Sequence, residues 1–86
     1  MNNDFRIINV TISDSHITIY LSDDRIVSTP IYLYPRLDKA NEIERNNFKI
    51  SGSGLGIHWE DIDEDLSMTG LINAIPSPEY NIEELI

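Results

Sequence analysis

The first third of the chain alternates apolar and polar side chains, and this pattern constrains the fold more than any other feature. A period of two is typical of a strand with one buried face. The regularly spaced apolar residues are Ile8, Val10, Ile12, Ile17, Ile19 and Leu21. Residues 13–15 and 22–24 carry turn-forming Ser and Asp. A third strand over 25–29 stops at Pro30, which has no N–H to donate to a sheet. We therefore predict a three-stranded antiparallel meander.

Proline and asparagine signals after the meander predict one or two short helices. Pro35 suits the first turn of a helix, because its ring presets the backbone angle φ. Asn41 followed by Glu44 resembles an N-cap with its capping-box partner, which indicates a second helix starting one residue after Asn41. The apolar residues that would share one helical face are Leu37, Ala40 and Ile43. Both alternatives stay open, and residues 46–47 end the helical region.

The glycine-rich segment 51–56 predicts a turn between two strands. Residues 48–50 are a strand candidate, and residues 57–61 are expected to pair back onto them. Ser67 is a candidate N-cap of a short final helix, which Pro76 stops. The apolar residues of that helix are Met68, Leu71 and Ile72. The predicted fold class is α+β, with a meander, one or two short helices, a glycine-rich hairpin and a short C-terminal helix.

Length and composition favour one small domain over residues 1–75. The chain has 86 residues, of which 41% are hydrophobic, and this is too short for two independent cores. Residues 76–86 form an acidic and apolar tail. Within it, Ser77 and Pro78 predict a helix start. The tail residues at helical spacing are Ile82, Leu85 and Ile86. We expect this tail to fold against something else.

The cysteine content and the hydropathy of the chain limit its cellular compartment and the chemistry that it can carry out. The chain has no cysteine, which excludes thiol catalysis, Cys-ligated zinc and iron–sulfur clusters. No apolar stretch approaches the ~20 residues of a membrane span, and no signal peptide is recognisable at the start. We expect a cytoplasmic protein that does not insert into membranes, and we expect no cofactor.

The charge is distributed unevenly along the chain. Residues 1–49 carry six basic and seven acidic side chains, whereas residues 50–86 carry eight acidic side chains and neither Lys nor Arg. Binding to nucleic acid depends on Lys and Arg that displace counterions from phosphates, so it is not expected of the domain on its own. A small basic protein is the expected partner, and self-association into a homo-oligomer is a further option.

The motifs between residues 52 and 72 do not complete any familiar ligand site. The glycines at 52, 54 and 56 lack the spacing of a dinucleotide fingerprint, and no lysine follows them as in a P-loop. Asp61, Asp63 and Asp65 are spaced like the first ligands of a calcium loop. However, Leu66 stands at the sharp-turn glycine position and Ile72 at the bidentate glutamate position. We expect the glycines to shape a hairpin and no metal site.

Seven residues are the candidates for an interaction site. They are Arg36, Arg45, His58, Trp59, Asp63, Glu64 and Asp65. Trp59 is expected to anchor the hairpin to the core. The carboxylates are expected either to cap the next helix or to face a basic partner. Two alternatives remain: a small metal- or ligand-binding enzyme using the segment 58–65, and a DNA-binding regulator using the few basic side chains.

Three blocks of sequence resemble a bacterial family catalogued as domain of unknown function 2442. The blocks are Tyr34-Pro35-Arg36-Leu37-x-x-Ala40, Glu44-Arg45-Asn46 and Gly56-Ile57-His58-Trp59-x-x-Ile62-Asp63-Glu64-Asp65-Leu66. The resemblance spans roughly residues 5–75 and implies a small α+β domain with no assigned catalytic activity. In that family the domain is sometimes followed by a helix-turn-helix, which we do not expect here because the sequence stops at Ile86.

The resemblance also implies a setting for the domain. Genes of the family often lie beside a small partner protein, in arrangements that look like toxin–antitoxin pairs. Together with the acidic C-terminal region, this favours a non-enzymatic interaction module, the acidic antitoxin-like member of a two-protein pair, as the leading functional hypothesis.

Overall fold

The computed structural model describes residues 4–80 and has the predicted α+β class. Its strands are β1 (Ile7–Ile12), β2 (His16–Leu21), β3 (Ile26–Pro30), β4 (Lys49–Ser51), β5 (Gly56–Trp59) and β6 (Glu64–Ser67). Its α-helices are α1 (Pro35–Asp38), α2 (Glu42–Asn46) and α3 (Met68–Ile72), and single 3-10 turns lie at Ile31–Leu33 and Gly52–Gly54. The strands form two antiparallel three-stranded sheets, ordered β1-β2-β3 and β4-β5-β6.

The first sheet is the predicted meander. The prediction is wrong, however, about one of the side chains that this sheet buries. The pattern predicts that Ile8 faces the core together with Val10. Instead Ile8 is 62% exposed, and Ile7 is buried beside Val10. The pairing register of β1 with β2 shifts between Ile7 and Asn9. A β-bulge adds one residue to a strand and so reverses the faces of the residues beyond it.

The helical region consists of two helices joined at Asn41, as the capping-box pattern indicates. The N–H of Glu44 donates to Asn41 Oδ1 over 2.8 Å, and the N–H of Asn41 donates to Glu44 Oε1 over 3.0 Å. The break at Asn41 turns α2 away from the face that Leu37 buries. Ile43, expected on that face, is therefore 80% exposed.

The second sheet contains the predicted hairpin and one strand that the sequence pattern did not predict. Strands β4 and β5 pair through Ile50 and Ile57, on either side of the glycine turn. Strand β6 then pairs with β5, with Trp59 opposite Glu64. The expectation that Asp63 or Asp65 caps the next helix is wrong, because Asp63 precedes β6 and Asp65 lies within it. As predicted, the cap of α3 is a serine, Ser67, whose Oγ accepts from the N–H of Gly70 over 2.9 Å.

Both sheets and the helices enclose a single core. Its buried hydrophobic residues are Ile7, Val10, Ile17, Ile19, Leu21, Ile31, Tyr34, Leu37, Ile57, Trp59, Leu66, Met68 and Leu71. A buried hydrogen bond of 2.8 Å from Thr29 Oγ1 to the carbonyl oxygen of Leu71 ties α3 to the first sheet. Within residues 4–80, no helix has the length and apolar character that crossing a bilayer requires.

The beginning of the tail contacts the body of the domain. The N–H of Ser77 donates to the carbonyl oxygen of Leu33 over 3.1 Å, and the N–H of Tyr80 donates to the carbonyl oxygen of Ser77 over 3.0 Å. The ring of Tyr80 lies against that of Tyr32, with centroids 6.1 Å apart. Most of the predicted tail helix, including its apolar residues from Ile82 onward, lies outside the described residues.

Candidate functional site

Arg36 joins the β5–β6 turn to the tail. Its Nη1 donates to the carbonyl oxygen of Asp63, and its Nη2 lies 3.1 Å from Glu79 Oε2. The carboxylate of Asp63 is 3.9 Å from the same guanidinium and remains open to solvent. Asp63 has a φ of +53°, a left-handed conformation that aspartate tolerates better than most residues. Arg36 thus links two acidic segments through one exposed side chain.

Arg45 has a structural position at the junction of the two helices and the hairpin. Its guanidinium donates to the carbonyl oxygens of Leu37 and Asp38 over 3.1 and 2.8 Å, at the C-terminal end of α1. A cation at this end also interacts favourably with the orphan carbonyls of the helix. The carbonyl oxygen of Arg45 accepts from Nε1 of the buried Trp59 over 2.8 Å. These bonds fix the helices against the hairpin.

His58 and Asp65 form a pair on the outer face of the second sheet. They are opposite each other on β5 and β6, and His58 Nδ1 lies 2.8 Å from Asp65 Oδ1. Lys49 occupies the next position of the same row, on β4. Within residues 4–80 no group of three His, Cys, Asp or Glu side chains is arranged to hold a metal ion.

Glu64 points inward and lines a cavity. The residue is only 7% exposed, and the cavity of about 290 Å³ lies between β6, α3 and the start of the tail. Three oxygens at this cavity are buried without a hydrogen-bond partner in residues 4–80: Tyr34 Oη, Glu64 Oε2 and Ser77 Oγ. The other carboxylate oxygen, Oε1, accepts from the N–H of Asp65 over 3.1 Å. We call these three oxygens the cavity oxygens.

The electrostatics of the cavity follow from its burial. Burial raises the pKa of the Glu64 carboxyl above its usual range, and the Glu79 and Asp65 carboxylates also raise it. The Asp65 N–H and the Arg36 guanidinium act in the opposite direction. Burial likewise raises the pKa of the Tyr34 hydroxyl, and the charge of Glu64 raises it further. The cavity therefore holds a carboxylate whose charge is poorly compensated.

The seven sequence candidates lie in four places. Arg36 and Asp63 lie at the tail junction, His58 and Asp65 on the outer face, Arg45 and Trp59 in the structural junction, and Glu64 in the cavity. The sequence candidates omit Tyr34 and Ser77 as partners of Glu64. One signal was available: Glu64, Leu66 and Met68 repeat with a period of two, which places Glu64 on the buried face of a strand.

The pH dependence of stability tests the environment of Glu64. Because its pKa in the folded protein exceeds the ordinary value of 4.5, the folded state binds the proton more tightly than the unfolded chain. This contribution to stability is fully present below about pH 4.5 and is lost as the pH rises through the folded-state pKa. Glu64→Gln replaces the carboxyl by an amide, which does not titrate. We expect the variant to be more stable than the wild type at pH 7 in urea denaturation, with the difference shrinking below pH 4.5.

Glu60→Gln is the matched control, because it makes the same change at an exposed carboxylate in the neighbouring turn. Its stability should follow that of the wild type across the same pH range. A stability difference between Glu64→Gln and the wild type that does not vary with pH would contradict the assignment.

Comparison with known proteins places the chain in a family. The family described as "Protein of unknown function (DUF2442)" matches residues 7–77. A crystal structure of a protein of unknown function from Rhodospirillum rubrum is similar, with a TM-score of 0.76 and 28% identity over 90% of this chain and 95% of that one. A solution structure of the uncharacterized protein CV0863 from Chromobacterium violaceum has the same fold, with a TM-score of 0.72 and 23% identity over 93% of this chain and 75% of that one. No curated protein matches. The chain belongs to the DUF2442 family of proteins of unknown function.

Proposed function

We propose that the domain is a non-enzymatic interaction module of the cytoplasm that binds a small basic protein through the turn between β5 and β6. The turn carries three acidic residues, Glu60, Asp61 and Asp63, which we call the turn carboxylates, and all three are exposed. The observation that carries the proposal is that the arginines of the domain are held in internal contacts while the turn carboxylates face solvent.

The contacts of the arginines support this proposal. Arg25 pairs with Asp23 over 2.8 Å and lies over the ring of Phe5. Arg36 and Arg45 are held by the tail and by α1, as described above. Arg6 Nη1 donates to the carbonyl oxygen of Phe5 over 2.9 Å. A nucleic acid would have to compete with these contacts for the guanidinium groups, which favours a basic protein over DNA as the partner.

The turn carboxylates are well placed for a cationic surface. Asp61 accepts from the side-chain amide of Asn47 over 2.7 Å, which orients the carboxylate without neutralising it. Among residues 4–80, Asp63 forms an ion pair with Arg36 at 3.9 Å, and the closer carboxylate partner of Arg36 is Glu79. Charge complementarity of this kind increases association rates and selects partners of the opposite sign.

Two further observations bear on the alternatives. The enzyme hypothesis requires the segment 58–65 to converge on one point, but His58 and Asp65 lie on the outer face of the sheet whereas Glu64 faces the cavity. The family resemblance implies small partner proteins in neighbouring genes. We therefore propose an antitoxin-like role, in which the domain covers the basic product of an adjacent gene.

Co-expression with the product of the adjacent gene tests this function. We expect a complex whose affinity falls as salt is added, because the contacts are mainly exposed ion pairs. Glu60→Gln combined with Asp63→Asn should weaken binding roughly 3- to 10-fold, at about 0.5 kcal/mol or more for each exposed pair. Titration calorimetry of the purified proteins provides the measurement, and size-exclusion chromatography of the domain alone reports any self-association.

Asp4→Asn combined with Asp24→Asn is the matched control. It removes the same charge, and Asp24, like Asp63, has a positive φ, so both replacements place asparagine in the left-handed region. The control residues lie outside the β5–β6 turn, with Asp4 before β1 and Asp24 between β2 and β3. Equal weakening by both double variants, or no complex at all, would overturn the proposal.

A further inference from the structure

The cavity beside Glu64 combines apolar walls with three oxygens that have no hydrogen-bond partner among residues 4–80. The apolar side chains that line it are Leu66, Leu71, Ile75, Pro76 and Pro78. Its volume of about 290 Å³ is close to the ~300 Å³ lower end of small-ligand pockets in proteins. The backbone N–H of Ile75 donates to the carbonyl oxygen of Gly70 over 2.9 Å and that of Ser77 to Leu33, so the tail wall is fixed by hydrogen bonds.

The cavity oxygens define which hydrogen bonds a ligand must supply. A carboxylate oxygen only accepts, and the hydroxyl oxygens of Tyr34 and Ser77 each have lone pairs to offer. A buried polar atom without a partner carries a free-energy cost that is largest for charged groups. A ligand with three N–H donors would have one donor for each of the three oxygens.

The charges around the cavity determine the sign of the charge that a ligand can carry. Glu64 faces the cavity, and Glu79 and Asp65 raise its pKa from nearby, whereas Arg36, which lowers that pKa, is paired with Glu79 over 3.1 Å. An anionic ligand would therefore meet repulsion, and a cation would compensate the charge of Glu64. The apolar walls suit a chain of methylene groups.

We infer that this cavity binds a primary alkylammonium group, whose three N–H groups donate to Tyr34 Oη, Glu64 Oε2 and Ser77 Oγ while its methylene stem packs on the apolar walls. An ammonium has three donors and no acceptor, which matches the set of cavity oxygens. The group comes either from a free aliphatic amine or from a lysine side chain of a protein. The site does not depend on the turn carboxylates, so it stands or falls separately from the proposed function.

Three probe molecules that share one alkyl stem test which head group the cavity binds. n-Butylamine, n-butanol and butyrate share four carbons and differ in charge and donors. We expect butylamine to shift the backbone amide resonances of residues 64–67, 75 and 77 in ¹H–¹⁵N NMR titrations at pH 7. Its affinity should exceed that of butanol by at least about tenfold, because charge-assisted hydrogen bonds are roughly twice as strong as neutral ones. Butyrate should not bind.

A lysine probe distinguishes the two sources. Nα-acetyl-lysine N-methylamide carries the same ammonium on a peptide backbone, and its Nε-acetylated form lacks the charge. Tighter binding of the lysine probe than of butylamine assigns the site to a protein side chain, and the reverse order assigns it to a free amine. Either order supports the site. If the Nε-acetylated probe binds as tightly as the lysine probe, the site is overturned.

Variants locate the ammonium. Glu64→Gln should weaken butylamine binding at least about tenfold, and Ser77→Ala about 2- to 10-fold, the range expected for one neutral hydrogen bond. Glu42→Gln, which makes the same change at an exposed carboxylate in the first turn of α2, should bind as the wild type does. The amide spectrum of each variant shows whether it is folded, and Ser77→Ala keeps the test valid if Glu64→Gln is not. Absence of butylamine binding, or binding unchanged in both cavity variants, overturns the inference.

Discussion

Replacing Trp59 by alanine is expected to lower the free energy of unfolding by about 3–5 kcal/mol, the usual cost of truncating a fully buried large aromatic side chain. Trp59 is completely buried, contacts the ring of Phe48 at a centroid distance of 6.0 Å, and donates from Nε1 to the carbonyl oxygen of Arg45. The variant loses the apolar contacts and leaves the carbonyl oxygen without its donor. For a domain whose total stability is ~5–15 kcal/mol, this is a large share.

The measurement is urea denaturation followed by far-ultraviolet circular dichroism, because the variant lacks the only tryptophan of the chain. Trp59→Phe should show an intermediate loss, since it keeps an aromatic ring but removes the N–H donor. Tyr32→Ala is the control: it removes an exposed aromatic side chain whose ring contact is with Tyr80, and it should cost less than about 1 kcal/mol. A loss at Trp59 no larger than that at Tyr32 would contradict the assigned core position.

Trp59 bears on function because it fixes the positions of the residues in both proposed sites. It lies opposite Glu64 across β5 and β6, and its bond to Arg45 joins the hairpin to the helices. The turn carboxylates follow directly after it in sequence. Both proposed sites therefore depend on the geometry that this side chain fixes.

Elements encoded by local signals were predictable from the sequence. The meander follows from alternation and turn residues, and α2 starts where the Asn41–Glu44 capping box indicates. Ser67 caps α3 as predicted. Each of these signals acts within a few residues, so the surrounding structure does not need to be known.

Features that depend on tertiary structure were not predictable in the same way. The bulge at Ile8 changes the phase of β1 without any glycine or proline to mark it. Strand β6 begins with Glu64 at a buried position, and a carboxylate there disguises the alternation that continues at Leu66. Charged residues are rarely buried without a partner, so sequence patterns place them outside.

The cavity could not be predicted from the sequence, for a related reason. Tyr34, Glu64 and Ser77 are separated by 30 and 13 positions in sequence, and only the packing of β6, α3 and the tail brings them together. No spacing rule connects such residues. The acidic turn, in contrast, was visible as a run of carboxylates, and the structure adds which of them Asn47 and Arg36 orient.

Gly54→Ala is expected to lower the free energy of unfolding by roughly 2–4 kcal/mol, through backbone strain and crowding together. Gly54 has a φ of +91°, where side chains are unfavourable. A Cβ there would also lie 2.8 Å from the Cβ of Arg6 and 3.0 Å from the carbonyl oxygen of Ile7. The turn between β4 and β5 rests directly on the first strand at this point. Urea denaturation followed by Trp59 fluorescence measures the effect.

Gly52→Ala separates the two causes. Gly52 also has a positive φ, +58°, but its nearest neighbour would be the Cβ of Leu55 at 3.8 Å, an ordinary contact. Ser53, between the two glycines, already adopts a φ of +59°. We therefore expect Gly52→Ala to cost only about 1 kcal/mol, the price of the left-handed backbone alone. Equal costs at the two positions would contradict the close approach of the turn to β1. A larger cost at Gly54 would show that this glycine is required where the two sheets meet.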